Sequence, residues 1–97
     1  MLHISMVLLK VRGEIALLKR HLIILRLLGK KGPLGIIKLS HLIKISPSQV
    51  RYSLRVLQEY GLLQPTTKGA KVNQKAIGFI NNLEVEKKKL SKLLAEI

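Results

Sequence analysis

Ser46-Pro47-Ser48-Gln49 constrains this chain more than any other stretch. Serine is a preferred N-cap, and proline suits the first helical position, where its missing N–H is not needed. Glutamine three residues after the cap completes a capping box. A helix therefore starts at residue 47. Val50, Leu54 and Leu57 follow at four- and three-residue spacing, so one of its faces is built for a core. Gly61 stands where a left-handed C-cap would end that helix near Tyr60.

Other breakers divide the rest of the chain: Lys30-Lys31-Gly32-Pro33 before this helix and Thr66-Thr67-Lys68-Gly69 after it. Ahead of the first, Ile4, Leu8, Val11, Ile15, Leu18, Leu22 and Leu25 form an apolar stripe. It predicts a helix over about 13–29. Residues 2–12 either extend that helix or form a short strand, because Gly13 interrupts the pattern. Residues 34–43 predict a short second helix with Leu34, Ile37, Leu39, Leu42 and Ile43 on its buried side. Residues 62–66 and 70–72 flank Thr67-Lys68-Gly69 as a small hairpin, and Pro65 marks an edge strand. Asn73 is a plausible N-cap for one final helix to the C-terminus. Ala76, Ile80, Leu83, Lys87, Leu90, Leu94 and Ile97 give it a heptad seam with one charge at a core position. The expected fold class is mainly α with a small β-hairpin. One domain is expected over 1–97: an N-terminal helix over 1–29, a helix-turn-helix and hairpin over 34–72, and a dimerisation helix over 73–97.

Charge narrows the partners. Eighteen Lys and Arg oppose five Glu, Asp is absent, and the net charge is +13. Residues 1–73 hold thirteen of the basic residues and two of the Glu, a net +11. Such an excess repels itself unless a polyanion neutralises it, and nucleic acid is the commonest one. An acidic membrane surface is the rival. No uncharged apolar run approaches the roughly 20 residues that span a bilayer. The first residues lack the basic start and the small-residue cleavage site of a secretory signal. The expectation is a cytoplasmic, nucleoid-associated protein with no membrane partner. Cysteine is absent, which excludes disulfides and thiolate metal sites.

Helix, short helix, turn, capped helix, hairpin, helix is the order of a winged helix-turn-helix. The chain resembles small archaeal-type winged-helix transcriptional regulators and, more loosely, the MarR group. The resemblance rests on Leu25, Leu28, Gly32-Pro33-Leu34, and Ile45-Ser46-Pro47-Ser48-Gln49-Val50 with Leu54, Leu57 and Gly61-Leu62-Leu63, and it covers about residues 20–80. It implies a DNA-binding transcriptional regulator with helix 47–60 in the major groove. The hairpin is short and lacks the Asp-x-Arg feature of the MarR wing, which narrows the resemblance to winged helices in general.

The residues support a DNA-binding face independently. With Val50, Leu54 and Leu57 inward, Ser48, Arg51, Tyr52, Arg55 and Glu59 fall on the opposite side, with Gln49 at its edge. Two guanidinium forks, a phenol and a hydroxyl suit base edges and phosphates. Together with Ser46 at the helix start, these are the candidate DNA-binding residues. A solvated helix face is the plain alternative for any one such helix. Lys38, His41 and Lys44 on the second helix are candidate phosphate contacts. Thr67, Lys68 and Lys71 either contact DNA as a wing or form a polar turn.

The stripes on the terminal helices exceed what a 60-residue core needs. A homodimer through the last helix is expected, with Ile80, Leu83, Lys87, Leu90, Leu94 and Ile97 as its contacts and the first helix joining it. An enzyme is not expected. Glu84 and Glu86 point in different directions on a helix, and His3, His21 and His41 have no short-range ligand spacing. No phosphate loop or nucleophile–base pair is present. No cofactor, metal or small-molecule ligand is expected. Two other readings use the same features: an architectural chromatin protein with little sequence preference, and a winged-helix protein-interaction module.

Overall fold

The computed structural model describes residues 2–97; Met1, the first residue of the domain expected over 1–97, lies outside them. Among the described residues the order is α1 (Leu2–Lys31), α2 (Ile36–Ile43), α3 (Pro47–Glu59), β1 (Leu63–Thr66), β2 (Gly69–Val72), α4 (Gln74–Asn81) and α5 (Leu83–Ala95). The protein is mainly helical with one small antiparallel hairpin.

Residues 2–12 are helix, not strand, and α1 runs unbroken for 30 residues. Gly13 lies in open space within it. At 1.5 Å per residue α1 is about 45 Å long, which accounts for most of the 50 Å long axis. The radius of gyration is 15.2 Å, against about 12.5 Å for a compact chain of this length. The excess comes from one end of α1. Ile24, Leu25 and Leu28 in its C-terminal part are 0–1% exposed. Ile4, Leu8, Val11 and Ile15 in its N-terminal part are 41–65% exposed.

The core gathers Ile24, Leu25 and Leu28 of α1, Leu39 of α2, Val50 and Leu57 of α3, Leu62 and Leu63 at the hairpin, and Ala76 of α4. Each fully buried Leu, Ile or Val stabilises the fold by about 1.5–3 kcal/mol before entropy is counted. α2 starts two residues later than its apolar pattern suggested. Leu34 instead forms a bridge with Ala70 of β2, through Leu34 N–H to Ala70 O (3.3 Å) and Ala70 N–H to Leu34 O (3.1 Å). That bridge moors the hairpin to the segment before α2. Ile37 and Leu42, read as buried, are 58% and 41% exposed, because the eight-residue helix offers the core only a narrow face around Leu39. Lys44, with φ +57°, ends α2 in the left-handed conformation.

The expected single C-terminal helix is two helices. Asn73 does cap α4, its Oδ1 accepting from Ala76 N–H at 2.9 Å. At Asn82 the backbone swings to φ −95°, ψ 0°, and α5 begins afresh. Gly78, Asn81 and Asn82 are all weak helix formers, so this stretch resists a break poorly. The bend buries Leu83 at 4% exposure. It also divides the proposed dimer seam. Ile80 packs on the core and Leu83 is buried, whereas Lys87, Leu90, Leu94 and Ile97 face solvent. Lys87 is not in a dry seam within this chain: its Nζ lies 3.3 Å from Glu84 Oε1, and both side chains are largely exposed. Among the described residues no helix is long and apolar enough to cross a membrane.

Candidate nucleic-acid interface

The capping box read from residues 46–49 forms in full. Ser46 Oγ accepts from Gln49 N–H at 3.2 Å, and Gln49 Oε1 accepts from Ser46 N–H at 3.0 Å. Pro47 occupies the first turn, and Gly61 beyond the last turn has φ +74°. The cap fixes where α3 begins and hence which residues share its faces. Val50 and Leu57 are buried and Leu54 is partly buried. Ser48, Arg51, Tyr52, Arg55 and Glu59 are all exposed on the other side. Ser46 and Gln49 are exposed too, but the polar atoms that bond each other in the cap are already engaged.

The outward face is ordered by its own side chains. The Arg55 guanidinium carbon lies 5.4 Å from the centroid of the Tyr52 ring, within cation–π range. Arg51 and Arg55 border a cleft of about 390 Å³ between α3 and the hairpin, with Leu34, Pro65 and Thr66 on the far side. The face is thus flanked by the hairpin at one edge and by α1 at the Tyr52 edge.

The hairpin pairs Leu63 with Val72, Gln64 with Lys71, Pro65 with Ala70 and Thr66 with Gly69, leaving Thr67 and Lys68 as the loop. Thr66 Oγ1 donates to Gly69 O at 2.6 Å and accepts from Lys68 N–H at 3.1 Å, which closes the tip. Thr67, Lys68 and Lys71 are exposed. Four-residue strands reach only about 13 Å, so the projection is small. Lys38, His41 and Lys44 are exposed on and just after α2.

Ion pairing is confined to a few of the basic residues described, none of them in α2, α3 or the hairpin. Among the described residues the ion pairs are Arg26–Glu84, Lys87–Glu84 and Lys89–Glu86, and each uses a glutamate of α5. Lys38, Lys44, Arg51, Arg55, Lys68 and Lys71 have no carboxylate partner among them. Among the described residues, the six Lys and Arg of residues 34–72 form no ion pair, and Glu59 is the one carboxylate in that stretch.

Three residues at this surface were not singled out from sequence as part of it: Arg20, His21 and Ser53. Ser53 is fully buried on α3. Its Oγ accepts from Arg20 Nε–H at 2.9 Å and lies 2.8 Å from His21 Nδ1. Burial, and then the Arg20 charge, push the His21 pKa below its ordinary 6.5. Arg20 and His21 also approach Tyr52, at 5.9 and 6.0 Å from its centroid. The signal for Ser53 was available: it lies three residues after Val50 and four before Leu57, a polar group on an apolar face, which demands a partner.

No protein-family model matches the chain, and no curated protein is significantly similar to it.

Proposed function

We propose that the protein binds double-stranded DNA as a winged helix-turn-helix transcriptional regulator, with α3 entering the major groove. The observation that carries this reading is the outward face of α3. A complete capping box directs Ser48, Arg51, Tyr52 and Arg55 away from the core, on a chain with net charge +13 and with no carboxylate partner for those arginines among the described residues. Guanidinium forks read guanine O6 and N7 in the major groove and also clamp phosphates. In this reading Lys38, His41 and Lys44, all exposed, would hold the backbone beside α2, and Thr67, Lys68 and Lys71 would do so from the hairpin.

The proposed active form is a homodimer. The exposed apolar stretch of α1, from Ile4 to Leu18, and Leu90, Leu93, Leu94 and Ile97 near the C-terminus are its candidate contacts. Two copies of α3 would then meet successive major grooves, about 34–36 Å apart, on a roughly palindromic site. Such a protein would act in the cytoplasm, at the nucleoid.

The test is a gel-shift series with duplexes selected from a random pool against scrambled ones at stated salt. Replacing Arg51 or Arg55 with Ala should weaken specific binding by about 1–3 kcal/mol if that residue reads a base. Unchanged affinity in both variants would remove this docking face. The diffuse charge favours a second reading, an architectural protein that coats DNA, and equal affinity for selected and scrambled duplexes would establish it. Absence of any salt-sensitive DNA binding would leave a protein-interaction module.

A further inference from the structure

Ser53 is the one fully buried hydroxyl on α3, in a row whose other members are Val50 and Leu57. A hydroxyl in that position destabilises the fold unless its hydrogen bonds are made. Both are made to α1: it accepts from Arg20 Nε–H and shares a hydrogen bond with His21 Nδ1. The bond to Arg20 uses the inner nitrogen of the guanidinium. The two terminal nitrogens, which carry four N–H groups, have no protein acceptor among the described residues.

The half-buried Arg20 is therefore held at its inner end and open at its outer end. Its outer end does not point to an arbitrary place. Its guanidinium carbon is 5.9 Å from the Tyr52 ring, and that of Arg55 is 5.4 Å from the same ring. Two guanidinium groups from different helices thus gather on one aromatic side chain of the outward face. Arg20 and Lys19 also border a hollow with Ile45, the residue before the Ser46 cap. Neither guanidinium has a carboxylate partner among the described residues, so an anion beside either is favoured. A fork with one nitrogen tied down loses little freedom when it closes on two phosphate oxygens.

We infer that Arg20, seated by Ser53, is a backbone-phosphate contact on α1, outside the helix-turn-helix and the hairpin. The ligand is a phosphodiester of duplex DNA, so the inference rests on the DNA-binding reading above. A phosphate contact positions the protein without specifying sequence. Its signature is the slope of log K against log salt, which falls by about 0.9 per phosphate lost.

The experiment measures that slope for the full chain on one duplex with Arg20→Gln, Arg12→Gln and Ser53→Ala. Arg12 is exposed on the same helix, eight residues or about 12 Å away, and controls for charge alone. Arg20→Gln should lower the slope by about one unit, so that between 50 and 200 mM salt it loses about 3.5-fold less affinity than wild type. Arg12→Gln should leave the slope unchanged. Ser53→Ala keeps every charge and should still weaken binding toward the Arg20→Gln value; wild-type binding there would overturn the seating by Ser53. If Ser53→Ala does not fold, by circular dichroism, the Arg20 and Arg12 variants still decide. An unchanged slope in Arg20→Gln, or an equal fall in Arg12→Gln, would overturn the contact. If wild type binds no duplex at any salt, the DNA-binding reading itself falls, and Arg20 with it.

Discussion

The two halves of α1 carry the same apolar rhythm and meet opposite fates. Leu25 and Leu28 are buried to within 1%, and Leu8 and Ile15 are 60% and 49% exposed, although one unbroken helix holds all four. The C-terminal half is covered because α3, α4 and the hairpin fold back on it. Residues 3–16, by contrast, are all exposed. Periodicity therefore says which face of a helix is apolar. It does not say whether the cover comes from the same chain. A helical segment without tertiary packing is marginal in water, so the exposed half is stable only as an extension of the packed one or as half of an assembly.

The largest expected effect separates these cases. Leu28→Ala should lower unfolding free energy by about 2–5 kcal/mol, as a large-to-small change in a closed core does. In a monomer Leu8→Ala should change it by less than about 0.5 kcal/mol. Denaturant melts at several protein concentrations check both. In the proposed homodimer, Leu8→Ala should cost more, and its midpoint should shift with concentration. Sedimentation showing a monomer at micromolar concentration, together with a silent Leu8→Ala, would break the dimer and leave the exposed half as a bare extension.

A smaller effect tests how firmly the packed half holds the hairpin. Gly69 has φ +119°, and a Cβ there would lie 2.3 Å from the carbonyl carbon and oxygen of Leu34. The backbone of the Leu34–Ala70 bridge fills the place of a side chain. Gly69→Ala should cost about 1–3 kcal/mol through forced displacement and backbone strain, whereas Gly13→Ala, in open space within α1, should stabilise by a few tenths up to about 1 kcal/mol. Opposite signs for one substitution in the two regions would sharpen the contrast; equal signs would break it.

What the sequence disclosed follows the range of the forces involved. The box at Ser46–Gln49 and the cap at Asn73 join residues three apart, and both were legible. The outward set on α3 followed once its start was fixed. The bridge from Leu34 to Ala70 joins residues 36 positions apart, so Leu34 read as an ordinary helix residue. The bend at Asn82 needed the burial of Leu83 to be known. Ile37 and Leu42 read as buried because an apolar side chain carries no mark of how wide its helix contact is. Ser53 was legible as an anomaly, but its partners Arg20 and His21 lie 33 and 32 residues away. The α3 half of the candidate interface was thus readable, and the α1 half was not.

His21 sits where the exposed half of α1 passes into the packed half, and it supplies the smallest of these effects. Its folded pKa lies below the ordinary 6.5, first by burial and then by Arg20. Between the folded and unfolded values the unfolded chain binds more protons, so stability rises with pH through that window and falls as pH drops below about 6.5. Protonation would also commit Nδ1 to donating, so the Ser53 hydroxyl could no longer donate to it. In His21→Gln, acidification from pH 7.5 to 5.5 should therefore cost less stability than in wild type. Matched melts at the two pH values give the difference, and the other histidines cancel from it. An identical pH response in the two proteins would mean that the α1–α3 junction does not feel the charge on residue 21. A pH response of the exposed half alone, followed by amide exchange along α1, would place the boundary between the two regions somewhere other than His21.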